Sequence, residues 1–375
     1  MRCFGMAALA DFLGDFVVYR NLDPVDPRLP RLADVAPALD LPPGHVPRKS
    51  EPAYARVIAH ILQAAQELSH PGVPLQRLVY LGDTRLLDST AFRNLKAAMG
   101  LPGWAFIATE NLAAPAQMDR EDDLWVANRW RAVEDFLAFL AAQGFPLDEG
   151  TAVVVDMDKT AIGARGRNDK MIDQARVAAV RRTVEGTLGD AFQPDAFQEA
   201  YDTLNQPRYH PFTADNQDYL AYICLMVSAG LCRLPALLED LAAGRLETFA
   251  QFITQMDERL RGRPQDGLVE VHRQVWEHFR RGDPTPFKAF RRNEYLETVA
   301  RMGHVDKPEE PATLLRQEIV ITQEIRTAAE ECQARGALLF GLTDKPDEAS
   351  LPAPDLAARA CLPVHQVRTH AVGEG

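Results

Sequence analysis

Short, uninterrupted apolar runs punctuate the chain: Leu78-Val79-Tyr80-Leu81, Trp104-Ala105-Phe106-Ile107-Ala108, Ala152-Val153-Val154-Val155 and Ala337-Leu338-Leu339-Phe340-Gly341-Leu342. Such runs, closed by glycine or polar residues, predict strands buried on both faces. Between them the apolar positions take helical spacing. Tyr54, Val57, Ile58, Ile61, Leu62, Ala65 and Leu68 line one face before the first run, and Pro71, Gly72 and Pro74 end that helix. Ser89 to Met99 predicts a second helix, and Trp130, Val133, Phe136, Leu137 and Leu140 mark a third that stops at Gly144. Alternation of buried strands with helices predicts a parallel, Rossmann-like α/β sheet sandwiched by helices.

From about Ile172 to Gln333 the strand-like runs vanish and amphipathic segments dominate, for example Phe249 to Leu260, Leu268 to Arg280 and Leu314 to Ala329. The α/β pattern then returns, with a short helix at Leu356 to Cys361 and a final strand within Val364 to Val372. The expected organisation is an α/β core of residues 45–172 and 335–375, interrupted by an inserted all-helical domain of residues 173–334. Residues 1–44 are expected to be an irregular and helical segment completing the core, because residues 21–52 are rich in proline and break regular structure.

Composition narrows the function classes. Hydrophobic residues make up 46% and charged residues 25% of the chain, as in a globular protein rather than a disordered one. The net charge of −12 repels nucleic-acid phosphates, and no basic patch offsets it, so no nucleic-acid partner is expected. No stretch approaches the roughly 18 apolar residues of a membrane span. The cysteines, Cys3, Cys224, Cys232, Cys332 and Cys361, are scattered and without a C-x-x-C pair, which predicts free thiols and a cytoplasmic protein.

The predicted strands end in chemistry: Asp156 and Asp158 after one, Asp83 after another, Thr343 after a third. In open parallel sheets ligands bind outside the carboxyl ends of the strands, so residues far apart in sequence can converge there. A carboxylate is an effective nucleophile toward phosphorus, and a second carboxylate two residues on can protonate a leaving oxygen and then activate water.

Asp156-Met157-Asp158-Lys159-Thr160 resembles the D-x-D-x-T signature of the haloacid dehalogenase-like superfamily. Three further segments fit that resemblance: the strand ending in Thr343, the strand followed by Gly82-Asp83 with Asp88 five residues on, and Lys49 just before a helix, where Arg48 and Lys345 are alternatives. The family runs nucleophile, Thr, Lys, Gly-Asp; here Lys49 and Asp83 precede Asp156 and Thr343, as in a circular permutant. The helical block then sits where the family carries a cap.

The resemblance implies Asp156 as nucleophile and Mg²⁺ ligand, and Asp158 as general acid/base with its carbonyl toward the metal. Thr343 would bind a phosphoryl oxygen, Lys49 would neutralise nucleophile and phosphate, and Asp83 and Asp88 would complete the Mg²⁺ site. The expected activity is Mg²⁺-dependent hydrolysis of a small phosphorylated metabolite. A phosphotransferase or mutase, or a non-catalytic binding protein on the same fold, are the alternatives. Gly163, Arg165, Gly166 and Arg167 read as a basic hinge or flap, and Pro207-Arg208-Tyr209-His210-Pro211 as a loop between helices that could touch substrate. His272 and His278 read as packing or surface residues on a helix.

Overall fold

A computed structural model describes every residue except 43, 265, 307–309 and 375. The strands in chain order are β1 (Arg2–Ala7), β2 (Val17–Val18), β3 (Arg77–Gly82), β4 (Gly103–Ala108), β5 (Met118–Glu121), β6 (Leu124–Ala127), β7 (Thr151–Asp156), β8 (Ile321–Thr322), β9 (Leu338–Leu342) and β10 (Thr369–Gly373). Seven of them form one sheet in the order β2-β9-β7-β3-β4-β6-β5. Every neighbouring pair in it is parallel except the β5–β6 hairpin. The fold is therefore mixed α/β, with a mostly parallel sheet flanked by helices.

Alternate residues of the central strands serve opposite faces, as the period of two requires. Leu78, Tyr80, Ala152, Val154, Leu338 and Phe340 join a core with Val57, Ile58, Ile61 and Leu62 of helix Pro52–Ser69, and with Phe92 and Leu95 of helix Leu87–Met99. Facing the other way, Phe106 packs on Phe136 of helix Ala132–Ala142, and helix Gln323–Ala334 packs against β7 and β9. Covered on both sides, β7 is buried at every position.

Register decides what meets at the sheet edge. Asp156 on β7 pairs with Leu342 on β9, while Val155 pairs with Leu81 on β3. Asp83 and Thr343 thus lie just beyond the strands on either side of Asp156.

Two compact units are present: residues 1–174 with 298–375, and residues 175–297. The second is helical throughout its described residues, built round Phe197, Tyr222, Leu225, Phe249, Phe252 and Phe290. Its upper boundary differs from the expected 334. Residues 311–317 form one helix and 323–334 another, with β8 between them, so the stretch read as a single helix from Leu314 is broken. The second of these helices carries its apolar stripe, Ile325, Ala328, Ala329 and Cys332, to the α/β sheet, where helical periodicity alone could not assign it.

Other differences lie in short elements. The segment 1–44 contributes strands, β1 to a three-stranded sheet with β10 and β8, and β2 to the edge of the large sheet beside β9. The hairpin Met118–Ala127 was not expected, because Met118-Asp119-Arg120-Glu121 is a polar edge strand with no buried face to pattern it. The expected C-terminal strand begins only at Thr369, after a 3₁₀ turn at Val364–Gln366, and the helix expected at Leu356–Cys361 is the single turn Pro354–Ala357. No described helix is long and apolar enough to cross a membrane.

Candidate functional site

The site is built at the carboxyl end of β7. The chain turns sharply after Asp156: Ala161 N–H donates to the Asp156 carbonyl at 3.2 Å and Ile162 N–H to the Met157 carbonyl at 3.0 Å. Lys159 takes a left-handed backbone, φ 64°, to close this turn. The turn brings the Thr160 hydroxyl within 2.9 Å of Asp156 Oδ2, to which it donates. Thr160 is thus a side-chain partner of Asp156.

Lys49 reaches the same carboxylate from the other side. Pro52 starts its helix with Glu51 as an extended N-cap, and a turn before it is closed by Glu51 N–H donating to the Arg48 carbonyl at 2.8 Å. From this turn Lys49 Nζ donates to Asp156 Oδ1 at 2.5 Å and to Asp88 Oδ1 at 2.6 Å. Its side chain is only 8% exposed. Of the alternatives, Arg48 bonds Glu51 Oε1 through its backbone N–H at 2.9 Å, and Lys345 Nζ bonds Thr298 at 3.2 Å.

Asp88, in the first turn of helix Leu87–Met99, folds back under the β3 loop. Its Oδ2 accepts from the backbone N–H of Asp83 at 3.0 Å and of Thr84 at 2.8 Å, and its Oδ1 accepts from Tyr80 at 3.0 Å as well as from Lys49. Gly82 makes this possible: a Cβ there would sit 2.8 Å from Asp88 Cβ and Cγ. The spacing Gly82-Asp83 to Asp88 therefore has a steric cause.

Ligand oxygens of Asp83, Asp88 and Asp156 lie within 4.8 Å of one another, all three buried, a spacing that can hold a metal ion. The donor set is hard oxygen, as Mg²⁺ or Ca²⁺ requires. The three carboxylates also outnumber the cations that touch them, Lys49 and Arg165, leaving a buried excess of negative charge that suits a cation. The residues fit the group, with one adjustment to the expected ligand set. Asp88 already receives two donors on each oxygen, so Asp83 and Asp156 are the better ligands. Among the described residues, the Asp158 carboxylate stands outside the cluster; it is half-buried.

Titration follows from this crowding. Burial pushes Asp156 well above the usual carboxylate range, with Asp88 and Asp83 pushing the same way against the pull of Lys49. Burial likewise raises Asp83 to about 6, with Asp88 adding to it and Arg165 opposing. Burial also opposes ionisation of Asp88, yet Lys49 and the two backbone N–H groups outweigh it and hold this carboxyl low. Burial works against the Lys49 charge too, and the Asp156 and Asp88 carboxylates overcome it, so the ammonium is retained.

Arg165 is the residue whose place the sequence did not disclose: its Nε donates to Asp83 Oδ2 and its Nη2 to Thr84 Oγ1 at 3.3 Å. Tyr80 was likewise read as a strand core residue, and its hydroxyl on Asp88 has no signal beyond a phenol two positions before Gly82. Thr343 is buried on the opposite flank; its N–H donates to the Val18 carbonyl at 3.1 Å, and its Oγ1 accepts from Lys345 N–H at 3.1 Å.

The segment read as a basic hinge is a fixed brace instead. Arg167 is buried between Glu110 and Glu324, bonding each carboxylate at 2.7 to 2.9 Å. Gly166, φ +80°, lies so close to Glu110 that a Cβ would meet its carbonyl oxygen at 2.0 Å. In the helical unit, Pro207–Tyr209 is a 3₁₀ turn continuing into the short helix His210–Thr213. His272 is a packing residue, its Nδ1 2.6 Å from the buried Tyr222 hydroxyl, and His278 Nδ1 lies 3.1 Å from Asp283. All five cysteines are free.

No family model matches this chain, and neither a curated protein nor a solved structure matches it.

Proposed function

We propose that this chain is a Mg²⁺-dependent phosphatase of the haloacid dehalogenase-like type, acting on a small phosphomonoester through an aspartyl-phosphate on Asp156. The observation that carries the reading is the ammonium of Lys49 bridging Asp156 and Asp88, which lie 107 and 39 residues away in sequence. Lysine, Gly-Asp and D-x-D segments chosen on sequence grounds meet at one buried point. The parallel register that sets Thr343 just beyond the partner of Asp156 supports the fourth.

In this reading Lys49 and Thr160 orient the Asp156 carboxylate, and the ammonium favours its ionised form against the burial that opposes it, leaving one oxygen lone pair to attack phosphorus. The bond from phosphorus to the leaving oxygen breaks as Asp158 delivers a proton to it. Asp158 then takes a proton from water as that water attacks the phosphorus of the aspartyl-phosphate, which restores Asp156 and releases phosphate. Thr343 and Lys49 hold the equatorial oxygens. Asp83 and Asp156 would hold Mg²⁺, which when bound screens the repulsion between carboxylates and phosphate. The net charge of −12 suits a small anion drawn to local cations better than a nucleic-acid polymer.

The test is release of phosphate from p-nitrophenyl phosphate with Mg²⁺. Activity is expected to vanish in EDTA and in Asp156→Asn. Full activity of Asp156→Asn would remove the nucleophile assignment. Transfer to added alcohols in preference to water would identify a phosphotransferase on the same intermediate.

A further inference from the structure

We infer that Arg165 is a built-in competitor for the divalent cation: its guanidinium is the resident counter-ion of Asp83, and a metal ion must displace it to bind. The inference rests on the metal-dependent reading above and concerns how that site is gated.

The argument is one of charge and reach. Asp83, Asp88 and Asp156 are crowded and buried. Lys49 serves Asp88 and Asp156. Asp83, only 4% exposed, is paired with Arg165 instead. Of the three carboxylates, Asp88 is saturated by fixed donors and Asp156 is held by Lys49 and Thr160. Asp83 is thus the one whose cation can leave.

That cation is aimed and yet free to move. The main chain of Arg165 is clamped: its N–H donates to the Lys159 carbonyl at 2.8 Å, and its own carbonyl accepts from Glu110 N–H at 3.0 Å and from the Trp130 indole N–H at 3.2 Å. The close approach of Gly166 to Glu110 locks the same segment. The side chain, by contrast, is 35% exposed, whereas that of Lys49 is 8% exposed. Its flexible stem can swing into solvent without disturbing the clamp. A competent site is then the fraction of molecules whose Asp83 is released, and apparent metal affinity is lowered by that fraction.

Mg²⁺ titrated calorimetrically into the full-length chain without substrate, at fixed pH and salt, tests this directly. Losing a hydrogen-bonded ion pair of this kind corresponds to Mg²⁺ binding roughly tenfold tighter in Arg165→Gln than in wild type. Arg165→Lys keeps the charge but loses the fork, and is expected between the two. If wild type and Arg165→Gln bind Mg²⁺ equally, or the variant binds more weakly, the competitor role is wrong while the metal site stands. If neither binds Mg²⁺, the metal-dependent reading falls and the competitor with it. Should Arg165→Gln melt below the assay temperature, Arg165→Lys decides: tightening supports the inference and unchanged affinity overturns it.

Discussion

Replacing Lys49 by methionine keeps the length of the stem and removes the charge that ties the site together. In the native protein its ammonium donates at 2.5 and 2.6 Å to two carboxylates whose side chains are 6% and 2% exposed. Removing one partner of a buried ion pair costs about 3–5 kcal/mol, because the remaining charge is stranded away from water. Here two carboxylates are stranded side by side, which favours the upper part of that range near pH 8. The stranded groups escape by taking up protons, so their folded pKa values rise above the unfolded ones. Stability of the variant is then recovered as pH falls, and the gap to wild type narrows toward about pH 5. Thermal melts of both proteins across this range measure it, with an expected difference in Tm of roughly 10 °C at the alkaline end. A variant that melts with wild type near pH 8, or whose deficit is the same at both pH values, would refute the claim that Lys49 is the buried counter-ion of Asp156 and Asp88.

Other outcomes follow from the same contacts. Gly82→Ala drives a Cβ into Asp88 and so displaces Lys49; phosphatase activity is expected to fall by at least tenfold, more than the change in melting would account for, and unchanged turnover would contradict the role given to Asp88. Arg167→Met strands Glu110 and Glu324, with a loss of about 3–5 kcal/mol measured by urea unfolding at neutral pH. Asp347 is raised from 3.8 to about 7, chiefly by burial, so the native form holds a proton that the unfolded chain releases. Stability should therefore fall as pH rises from about 4 to about 7 and then level off, a swing of up to about 4 kcal/mol. Asp347→Asn should flatten that slope while keeping the bond from Asn21 N–H, and an unaltered slope would disprove the assignment.

Much of the site was legible because its residues follow buried strands. Continuous apolar runs located β3, β4, β7 and β9, and with them Asp83, Asp156 and Thr343 at the strand ends. Lys49 and Asp88 were found only through the resemblance of their segments to the haloacid dehalogenase-like signatures, and the saturation of Asp88 by Tyr80 and two backbone N–H groups was not foreseen. Arg165 was out of reach for a different reason. Its direction is set by Glu110, Trp130 and Gly166, and no periodicity encodes a clamp between distant loops. The strands β2, β5 and β6 are too short or too polar to stand out, and the helix Gln323–Ala334 has an amphipathic face that fits a helical domain as well as a sheet.

The pairing of β2 with β9 has a consequence for biogenesis. The two strands that flank Asp156 are made at very different times: β3 emerges before β7, whereas β9 follows only after the whole helical unit. The acidic cluster and its lysine can assemble while translation continues, but one edge of β7 waits uncovered, and β2 with it, since Asn21 finds its Asp347 partner 326 residues later. Contacts of such span form slowly, and an open parallel edge invites mispairing in the interval. A ribosome-bound chain halted near residue 335 should therefore bind chaperones avidly, and should let go once the roughly forty residues beyond it are free to close the sheet.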